Sequence, residues 1–225
     1  MTMDASRIAA NVAAVRRELA DACSASGRDP TTVTLVAVTK SQEPAVLPAL
    51  RAAGITDFGE NRVDHLQQMR LAAERGDRWH YIGRVQGRQL PQVASSAHVL
   101  HSLCDPGHVD RLAKTCQAGG LKFPVYLQVN TSGEAAKAGL SVEGLSAAVE
   151  HVRRHACLDL IGLMTMAPDL DGHSAASEAR TCFRRLAEAA KAHGLPGLSM
   201  GMSGDFAIAI EEGATIIRVG SRLFA

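Results

Sequence analysis

Short apolar runs alternate along the chain with longer stretches in which apolar residues recur every three or four positions. The run at 35–38 reads LVAV, and such a run, rich in β-branched residues, is typical of a strand buried on both faces. Before it, the spacing of Ile8, Val12 and Val15 predicts an amphipathic helix over 4–25. The chain therefore opens with a helix and continues with a buried strand.

The same alternation repeats along the rest of the chain. Proline and glycine separate the segments, as at Pro44 and Gly54, which bound a predicted helix. The predicted strands cover 35–40, 55–61, 78–83, 98–103, 124–130, 158–166, 197–203 and 215–221. The predicted helical segments between them cover 44–53, 62–75, 86–96, 106–118, 141–154, 173–193 and 205–212. Eight strands alternating with helices predict a single α/β domain over 1–225, a (β/α)8 TIM barrel with an additional N-terminal helix.

Composition narrows the range of partners. The 24 Lys and Arg residues nearly balance the 23 Asp and Glu residues, so no overall field favours nucleic acid or an anionic membrane. The five cysteines, an odd number without a CxxC pair, argue against a disulfide framework or a zinc site. No apolar stretch reaches the roughly 18 residues that a membrane span requires. We therefore expect a cytoplasmic protein with small-molecule partners and no bound metal.

Polar residues recur where the predicted strands end. The residues at these positions are Lys40, Asn61, Asn130, Ser203, Arg218 and Ser221. In a parallel barrel the carboxyl ends of the strands meet at one face, and that face carries the active or binding site. Lys40 has two interpretations: a solvated strand end, or an amine held at the barrel mouth for chemistry.

Two glycine-containing segments near the end of the chain indicate a phosphate site. GMSGD at 201–205 includes Ser203, and RVGS at 218–221 includes Gly220 and Ser221. Barrels often bind phosphate between the loops that follow strands seven and eight, where glycine lets the backbone approach the anion. The alternative is a plain serine cap and a tight turn. Because strand eight must pair with strand one, an amine at Lys40 would lie beside this pocket, an arrangement that suits pyridoxal 5′-phosphate.

Arg218 also has two interpretations. It could be a cation at the rim of the core, paired with a carboxylate. It could instead donate to the pyridine nitrogen of the cofactor, which would leave that nitrogen unprotonated and make the ring a weak electron sink. The second interpretation disfavours transamination and decarboxylation.

Eight blocks of sequence, in one order, span nearly the whole chain. They are LVAVTK (35–40), FGENRV (58–63), WHYIG (79–83), HSL (101–103), VNTSGEAAKAGL (129–140), GLMTM (162–166), LSMGMSGD (198–205) and RVGSRLF (218–224). Together they resemble the pyridoxal phosphate homeostasis proteins, also called proline synthase co-transcribed homologues. The resemblance implies a barrel like the N-terminal domain of alanine racemase.

The resemblance also implies a role for each matching residue. Lys40 would hold pyridoxal phosphate as a Schiff base, and Ser203, Gly220 and Ser221 would bind the phosphate. Arg218 would face the ring nitrogen, with Asn61 near the ring. Members of this family are regarded as regulating cofactor supply without an established catalytic activity. We therefore expect a monomeric protein that holds or supplies the cofactor, with pyridoxal-phosphate-dependent apo-enzymes as candidate partners.

The chain departs from the family pattern at a few positions. Arg88 and Gln89 replace an asparagine–lysine pair after the third strand, and Ser221 stands where threonine is common. Cys104 alters the pattern after the fourth strand. The hydroxyl donor is retained at Ser221, whereas the contact made by the replaced pair is put in doubt.

The alternative function is a weak amino-acid racemase or lyase. Racemisation needs two opposed acid/base groups, and alanine racemase takes the second, a tyrosine, from an additional C-terminal domain for which we expect no room here. Tyr81, Tyr126, His80 and His101 fall inside predicted strands, where packing roles are expected. Glu60, Glu134 and Lys137 are expected in solvated loops. We therefore predict no catalytic residue.

Overall fold

The strands close into one parallel barrel. The computed structural model of the protein describes residues 4–134, 138–168 and 175–225. Each strand pairs with the next, and β1 pairs with β8. The strands are β1 Thr34–Val38, β2 Asp57–Glu60, β3 Arg78–Tyr81, β4 Val99–Leu103, β5 Phe123–Gln128, β6 Leu158–Met164, β7 Gly197–Ser199 and β8 Ile216–Val219. The predicted (β/α)8 TIM barrel is confirmed.

Helices cover the outside of the barrel. They are α1 Ala5–Ala25, α2 Leu47–Ala52, α3 Val63–Arg70, α4 Leu90–Ser96, α5 Pro106–Ala118, α6 Leu145–Arg153, α7 Ala175–Ala192, α8 Phe206–Glu211 and α9 Ser221–Phe224. Helix α1 is the predicted additional N-terminal helix. Its buried stripe includes Ile8, Val12 and Val15, and it packs against α2, α8 and α9. No helix in the described ranges is long and apolar enough to cross a bilayer.

Several predicted boundaries are wrong. Lys40, Asn61 and Ser203 lie in the turns beyond β1, β2 and β7 rather than within the strands, and Ser221 opens the short helix α9. The apolar pattern predicted strands that are too long, because buried residues continue beyond the hydrogen-bonded part of a strand. Met200, which follows β7 and is completely buried, is an example. These polar residues consequently stand on the loops above the barrel.

Three predicted helices also have different ends. Helix α3 stops at Arg70 rather than at residue 75, and Leu71, which follows it, is 89% exposed. Helix α6 begins at Leu145 rather than at 141, after a turn in which the Gly144 N–H donates to Ser141 Oγ at 3.1 Å. Helix α7 begins no later than Ala175, and positions 173–174 of that predicted helix lie outside the described residues.

The core has two layers. Most buried apolar residues lie in one cluster between the outer faces of the strands and the helices. A smaller cluster, made of Val36, Val99, Tyr126, Met164 and Ile216, occupies the barrel interior. Side chains alternate along a strand, so the residue two positions after each member of this cluster also points into the barrel or toward the opening at the carboxyl ends of the strands. The interior apolar layer therefore supports whatever binds above it.

Candidate functional site

A cavity of about 780 Å³ opens at the carboxyl ends of the strands. All six predicted site residues line it, namely Lys40, Asn61, Ser203, Arg218, Gly220 and Ser221. This volume lies within the range typical of small-molecule sites. A smaller cavity of about 480 Å³ opens at the opposite end of the barrel beside α1 and includes none of these residues.

Strand register brings Lys40 to the cavity. Ala37 of β1 pairs with Val219 of β8, so the turn after β1 lies beside the one after β8. Val36, Val38 and Lys40 follow each other at steps of two and share one side of the chain. Lys40 is exposed, and its amine is accessible from the cavity that it lines.

The turn that carries Lys40 is held by a buried carboxylate. Glu60, at the end of β2, is completely buried and not in a solvated loop, so that expectation is wrong. One oxygen accepts from the Thr39 hydroxyl, and the other is 2.7 Å from His65 Nδ1. His65 Nε2 lies 3.0 Å from the carbonyl oxygen of Gln42. The Glu60–His65 pair therefore fixes the residues on both sides of Lys40.

Burial and pairing change the pKa values of this pair. Burial raises the pKa of Glu60 above its usual value, although the hydrogen bonds from Thr39 and His65 oppose the change. Burial by itself lowers the pKa of His65, but hydrogen bonding and attraction to Glu60, with the Gln42 carbonyl, raise it overall. The pair thus retains a proton to a higher pH than an isolated histidine would.

Ser203 stands on a loop shaped for close backbone approach. The Met202 N–H donates to Asp205 Oδ1 at 2.5 Å, which closes the loop, and the Gly220 N–H donates to Ser203 Oγ at 3.2 Å. Gly201 has φ of +91°, and a Cβ there would lie 2.6 Å from the Cβ of Ala209. Ser203 therefore links the loops after β7 and β8 and does not cap α8.

The helices that follow these loops are short. Helix α8 has 6 residues and α9 has 4, so little dipole accumulates along either of them. Gly204 and Ser221 are exposed, and both line the cavity. Any anion at this corner would thus be bound by local hydroxyl and backbone groups rather than by a helix end.

Asn61 lies across the cavity from this corner. Its backbone carbonyl accepts from the Tyr81 hydroxyl at 3.3 Å. A Cβ at Gly83 would lie only 2.0 Å from the same carbonyl oxygen, so residue 83 must be glycine for the two turns to fit. The exposed Asn61 side chain remains available to the cavity that it lines.

Arg218 lies at the floor of the cavity and is almost completely buried, 4% exposed. Its Nη1 donates to Ser199 Oγ at 2.7 Å, and its Nη2 donates to the carbonyl of Thr165 at 3.0 Å. Burial lowers the pKa of Arg218 to about 10, with Asp205 opposing the shift. The guanidinium therefore stays protonated at neutral pH, and the partners that it touches here are neutral acceptors rather than a carboxylate.

A chain of hydrogen bonds continues from Arg218 through the barrel interior. Ser199 Oγ is 2.7 Å from His101 Nδ1, and His101 Nε2 is 2.9 Å from His80 Nδ1. His80 Nε2 lies 2.9 Å from Asp57 Oδ1 at the start of β2. The predicted packing of both histidines with satisfied hydrogen bonds is confirmed.

The donors and acceptors in this chain can be assigned in order. Arginine can only donate, so the Ser199 oxygen accepts from Arg218 and its hydroxyl donates to His101. Burial lowers the pKa of His101 well below its usual value and lowers that of His80 despite Asp57. A neutral imidazole has one donor and one acceptor, so His101 donates to His80 and His80 donates to Asp57. The two charges, on Arg218 and Asp57, therefore stand at opposite ends of a neutral, directional chain.

The remaining predicted residues lie outside the cavity or outside the described ranges. Tyr81 and Tyr126 are buried in β3 and β5, and Tyr126 stacks on His101 with 4.7 Å between ring centroids. Glu134 is exposed as expected, whereas Lys137 lies outside the described residues. Arg88, Gln89 and Cys104 do not line the cavity formed by the described residues.

The sequence alone does not indicate the partners of Arg218 or the contacts of Glu60 and His65 around Lys40. Thr165 and Ser199 belong to the blocks GLMTM and LSMGMSGD, but nothing in those blocks links them to Arg218. His65 had no recognisable signal, since its partner Glu60 was expected in solvent. The apolar wall, which includes Met164, was likewise found only in the fold.

Comparison with known proteins supports the same class of barrel. The family model described as "Alanine racemase, N-terminal domain" matches residues 3–225. The alanine racemase of Corynebacterium glutamicum superposes with a TM-score of 0.78 at 17% identity, covering 99% of this chain and 62% of that one, which shows a common fold. The fold and the site thus define an alanine-racemase-type barrel with its cavity at the carboxyl ends of the strands.

Two proteins with higher sequence identity to this chain define the family more narrowly. A Pseudomonas aeruginosa protein named "Pyridoxal phosphate homeostasis protein" is 41% identical over 97% of this chain and 95% of its own. PipY of Synechococcus elongatus PCC7942, whose structure was solved with PLP bound, is 30% identical with a TM-score of 0.82, covering 97% of this chain and 100% of that one. The chain therefore belongs to the family of the pyridoxal phosphate homeostasis proteins.

The Glu60–His65 pair predicts a pH dependence of stability. Because the pKa of His65 is raised in the fold, its protonated form stabilises the protein fully below the unfolded pKa of about 6.5. That stabilisation is lost as the pH rises through the raised folded pKa. The difference in unfolding free energy between wild type and His65→Gln should therefore become smaller as the pH rises above about 6.5. Urea unfolding between roughly pH 6 and 9 measures this difference.

The matched control is His193→Gln, which changes a histidine outside this pair. The change with pH in the His65→Gln difference is compared with the change in the His193→Gln difference, so that an effect of losing any histidine is subtracted. A His65→Gln gap that is flat, or that widens with pH, would contradict the assigned direction.

Proposed function

We propose that this protein binds pyridoxal 5′-phosphate reversibly and takes part in its homeostasis in the cytoplasm. The observation that carries the proposal is one cavity lined by an exposed amine, a hydroxyl and glycine corner, and a buried guanidinium. The cofactor has an aldehyde, a phosphate and a ring nitrogen, and these match the three kinds of group. The names of the similar proteins point to the same ligand.

Lys40 is the residue that we assign to the aldehyde. Its amine would condense with the aldehyde to form an imine and release one water, and hydrolysis would reverse the step. The clamp of Thr39, Glu60, His65 and Gln42 holds the turn in which Lys40 stands, so the attachment point would be positioned before the ligand arrives.

Ser203, Gly220 and Ser221 are the residues that we assign to the phosphate. The Gly220 N–H is already directed at the Ser203 hydroxyl oxygen, which brings the two loops together at this corner of the cavity. Gly204 leaves the backbone uncovered by a side chain, as close approach to an anion requires. The retained hydroxyl at Ser221 supplies a further donor.

Arg218 is assigned to the ring nitrogen, with Asn61 beside the ring. A protonated guanidinium donates and cannot deliver its proton readily, so the nitrogen beside it would stay unprotonated. The neutral chain behind Arg218 ends at Asp57, and the carboxylate is thus kept away from the cavity. This environment supports storage of the cofactor rather than carbanion chemistry.

A carrier role fits the ionisable groups around the cavity. Among the described residues that line it, Lys40 and Arg218 are the ionisable side chains. A two-sided proton transfer would need a second base opposite Lys40, and a charged guanidinium is not a base at neutral pH. We therefore propose a monomeric carrier whose recipients are apo-enzymes that use the same cofactor.

Replacing the attachment point tests the assignment directly. Wild-type protein mixed with pyridoxal 5′-phosphate and reduced with borohydride should carry one cofactor on Lys40, detected by peptide mass spectrometry and by the visible absorbance before reduction. Lys40→Ala should lose both signals. The control Lys114→Ala changes an exposed lysine on α5 and should keep them. Full labelling of Lys40→Ala would refute the attachment point.

The phosphate assignment is tested with two ligands that differ only in the phosphate. Ser221→Ala should weaken binding of pyridoxal 5′-phosphate roughly tenfold, about 1.4 kcal/mol, because a hydrogen bond to a charged group is lost. Binding of pyridoxal, measured by the same titration, should be unchanged. Equal weakening for both ligands would place Ser221 away from the phosphate.

The carrier role is tested by exchange at the α-carbon of amino acids. Protein loaded with cofactor should leave the α-proton of alanine in place in D2O, as followed by NMR, because the described residues that line the cavity include no second base opposite Lys40. A free-cofactor sample gives the background rate. Exchange well above that background, and absent in Lys40→Ala, would favour the racemase or lyase alternative.

A further inference from the structure

Two histidines and an aspartate converge on the outer wall of the barrel, between α5 and α6. Asp110 belongs to α5, His151 belongs to the last turn of α6, and His155 follows in the turn that leads to β6. His151 Nε2 is 2.7 Å from Asp110 Oδ1, and His155 Nε2 is 3.2 Å from the same oxygen. None of the three lines the cavity described above.

We propose that Asp110, His151 and His155 form a binding site for a divalent transition-metal ion of the zinc and nickel class. The three candidate ligand atoms lie within 4.8 Å of one another. In a tetrahedral site with bonds of about 2.0–2.1 Å, ligand atoms stand roughly 3.3 Å apart. The distance from His155 Nε2 to Asp110 Oδ1, 3.2 Å, is close to that value, whereas His151 Nε2, at 2.7 Å, would have to move away from the carboxylate to admit an ion.

The hydrogen bonds of the cluster meet on one oxygen. His151 Nε2 and His155 Nε2 both face Asp110 Oδ1. A bound ion would replace the two N–H donors that now share one carboxylate oxygen. The fourth position of a tetrahedral ion would be left for water.

The backbone around the three residues is ordered before any ion arrives. The His155 N–H donates to the Val152 carbonyl at 3.0 Å, and its own carbonyl accepts from the Leu158 N–H at 2.9 Å. Asp110 and His151 stand on helices packed against each other. The site is also accessible, since the Asp110 side chain is 52% exposed and those of the two histidines are 19% and 23% exposed.

The donor set selects among ions. Two imidazole nitrogens and one carboxylate suit Cu²⁺, Zn²⁺ and Ni²⁺, whereas Mg²⁺ and Ca²⁺ prefer sets made of oxygen. His151 and His155 are four residues apart in the sequence, and this spacing is a signal for a metal site that a count of cysteines does not detect.

Isothermal titration with Zn²⁺ and Ni²⁺ tests the site. Wild type and His193→Gln should bind one ion at this site, and His151→Gln, His155→Gln and Asp110→Asn should each bind it at least tenfold more weakly. Mg²⁺ at the same concentration should give no response. Unchanged affinity in both histidine variants, or equal binding of Mg²⁺, would overturn the proposal.

Thermal unfolding gives a second readout that does not depend on heat of binding. An ion that bridges α5 and α6 stabilises only the folded state, so Zn²⁺ should raise the Tm of wild type and of His193→Gln. The double variant His151→Gln/His155→Gln should show no rise, while its Tm without metal shows whether it is folded. An equal rise in the double variant would place the ion elsewhere and refute the site.

Discussion

The pairing of β1 with β8 is the constraint on which the cavity depends. Leu35 faces Ile217 and Ala37 faces Val219 across this seam, which joins the first strand to the last. The seam sets the amine of Lys40 beside the loops that carry Ser203 and Ser221, although the chain between them forms the rest of the barrel. A barrel left open at this seam would separate the amine from the hydroxyl corner, because no other pair of neighbouring strands carries both.

Inside the barrel, the charges of Arg218 and Asp57 are held apart and joined by a directional chain of hydrogen bonds. A buried guanidinium without acceptors would be costly, and Arg218 is supplied with two neutral ones, Ser199 and Thr165. The hydrogen bonds then run in one direction through His101 and His80 to the carboxylate of Asp57. Because each group that donates toward Asp57 becomes a better acceptor, the chain stabilises the positive charge while its own carboxylate stays at the end far from the cavity.

The loops at the carboxyl ends are held by buried groups below them as well as by contacts between loops, such as the hydrogen bond from Gly220 to Ser203. Glu60 is the clearest case: it ends β2 in the core and reaches sideways to Thr39 and His65. Gly83 holds the Asn61 turn by its small size, because a residue with a Cβ at this position would clash with the Asn61 carbonyl. The cluster of Asp110, His151 and His155 is separate from these loops, since it lies on the outer wall of the barrel between α5 and α6.

The hydrophobic pattern by itself determined the order of strands and helices, the closed barrel and the additional helix α1, because period and segment length are local properties of the chain. It also predicted that most of the polar residues at strand ends would meet, since parallel strands present their carboxyl ends together, although Asn130 lines a different cavity from the others. Only the tertiary structure decided where each strand ends, that Glu60 is buried, and that Arg218 contacts Ser199 and Thr165. Those features depend on contacts between residues far apart in sequence, and no local pattern of apolar and polar positions encodes the partner of a buried polar group.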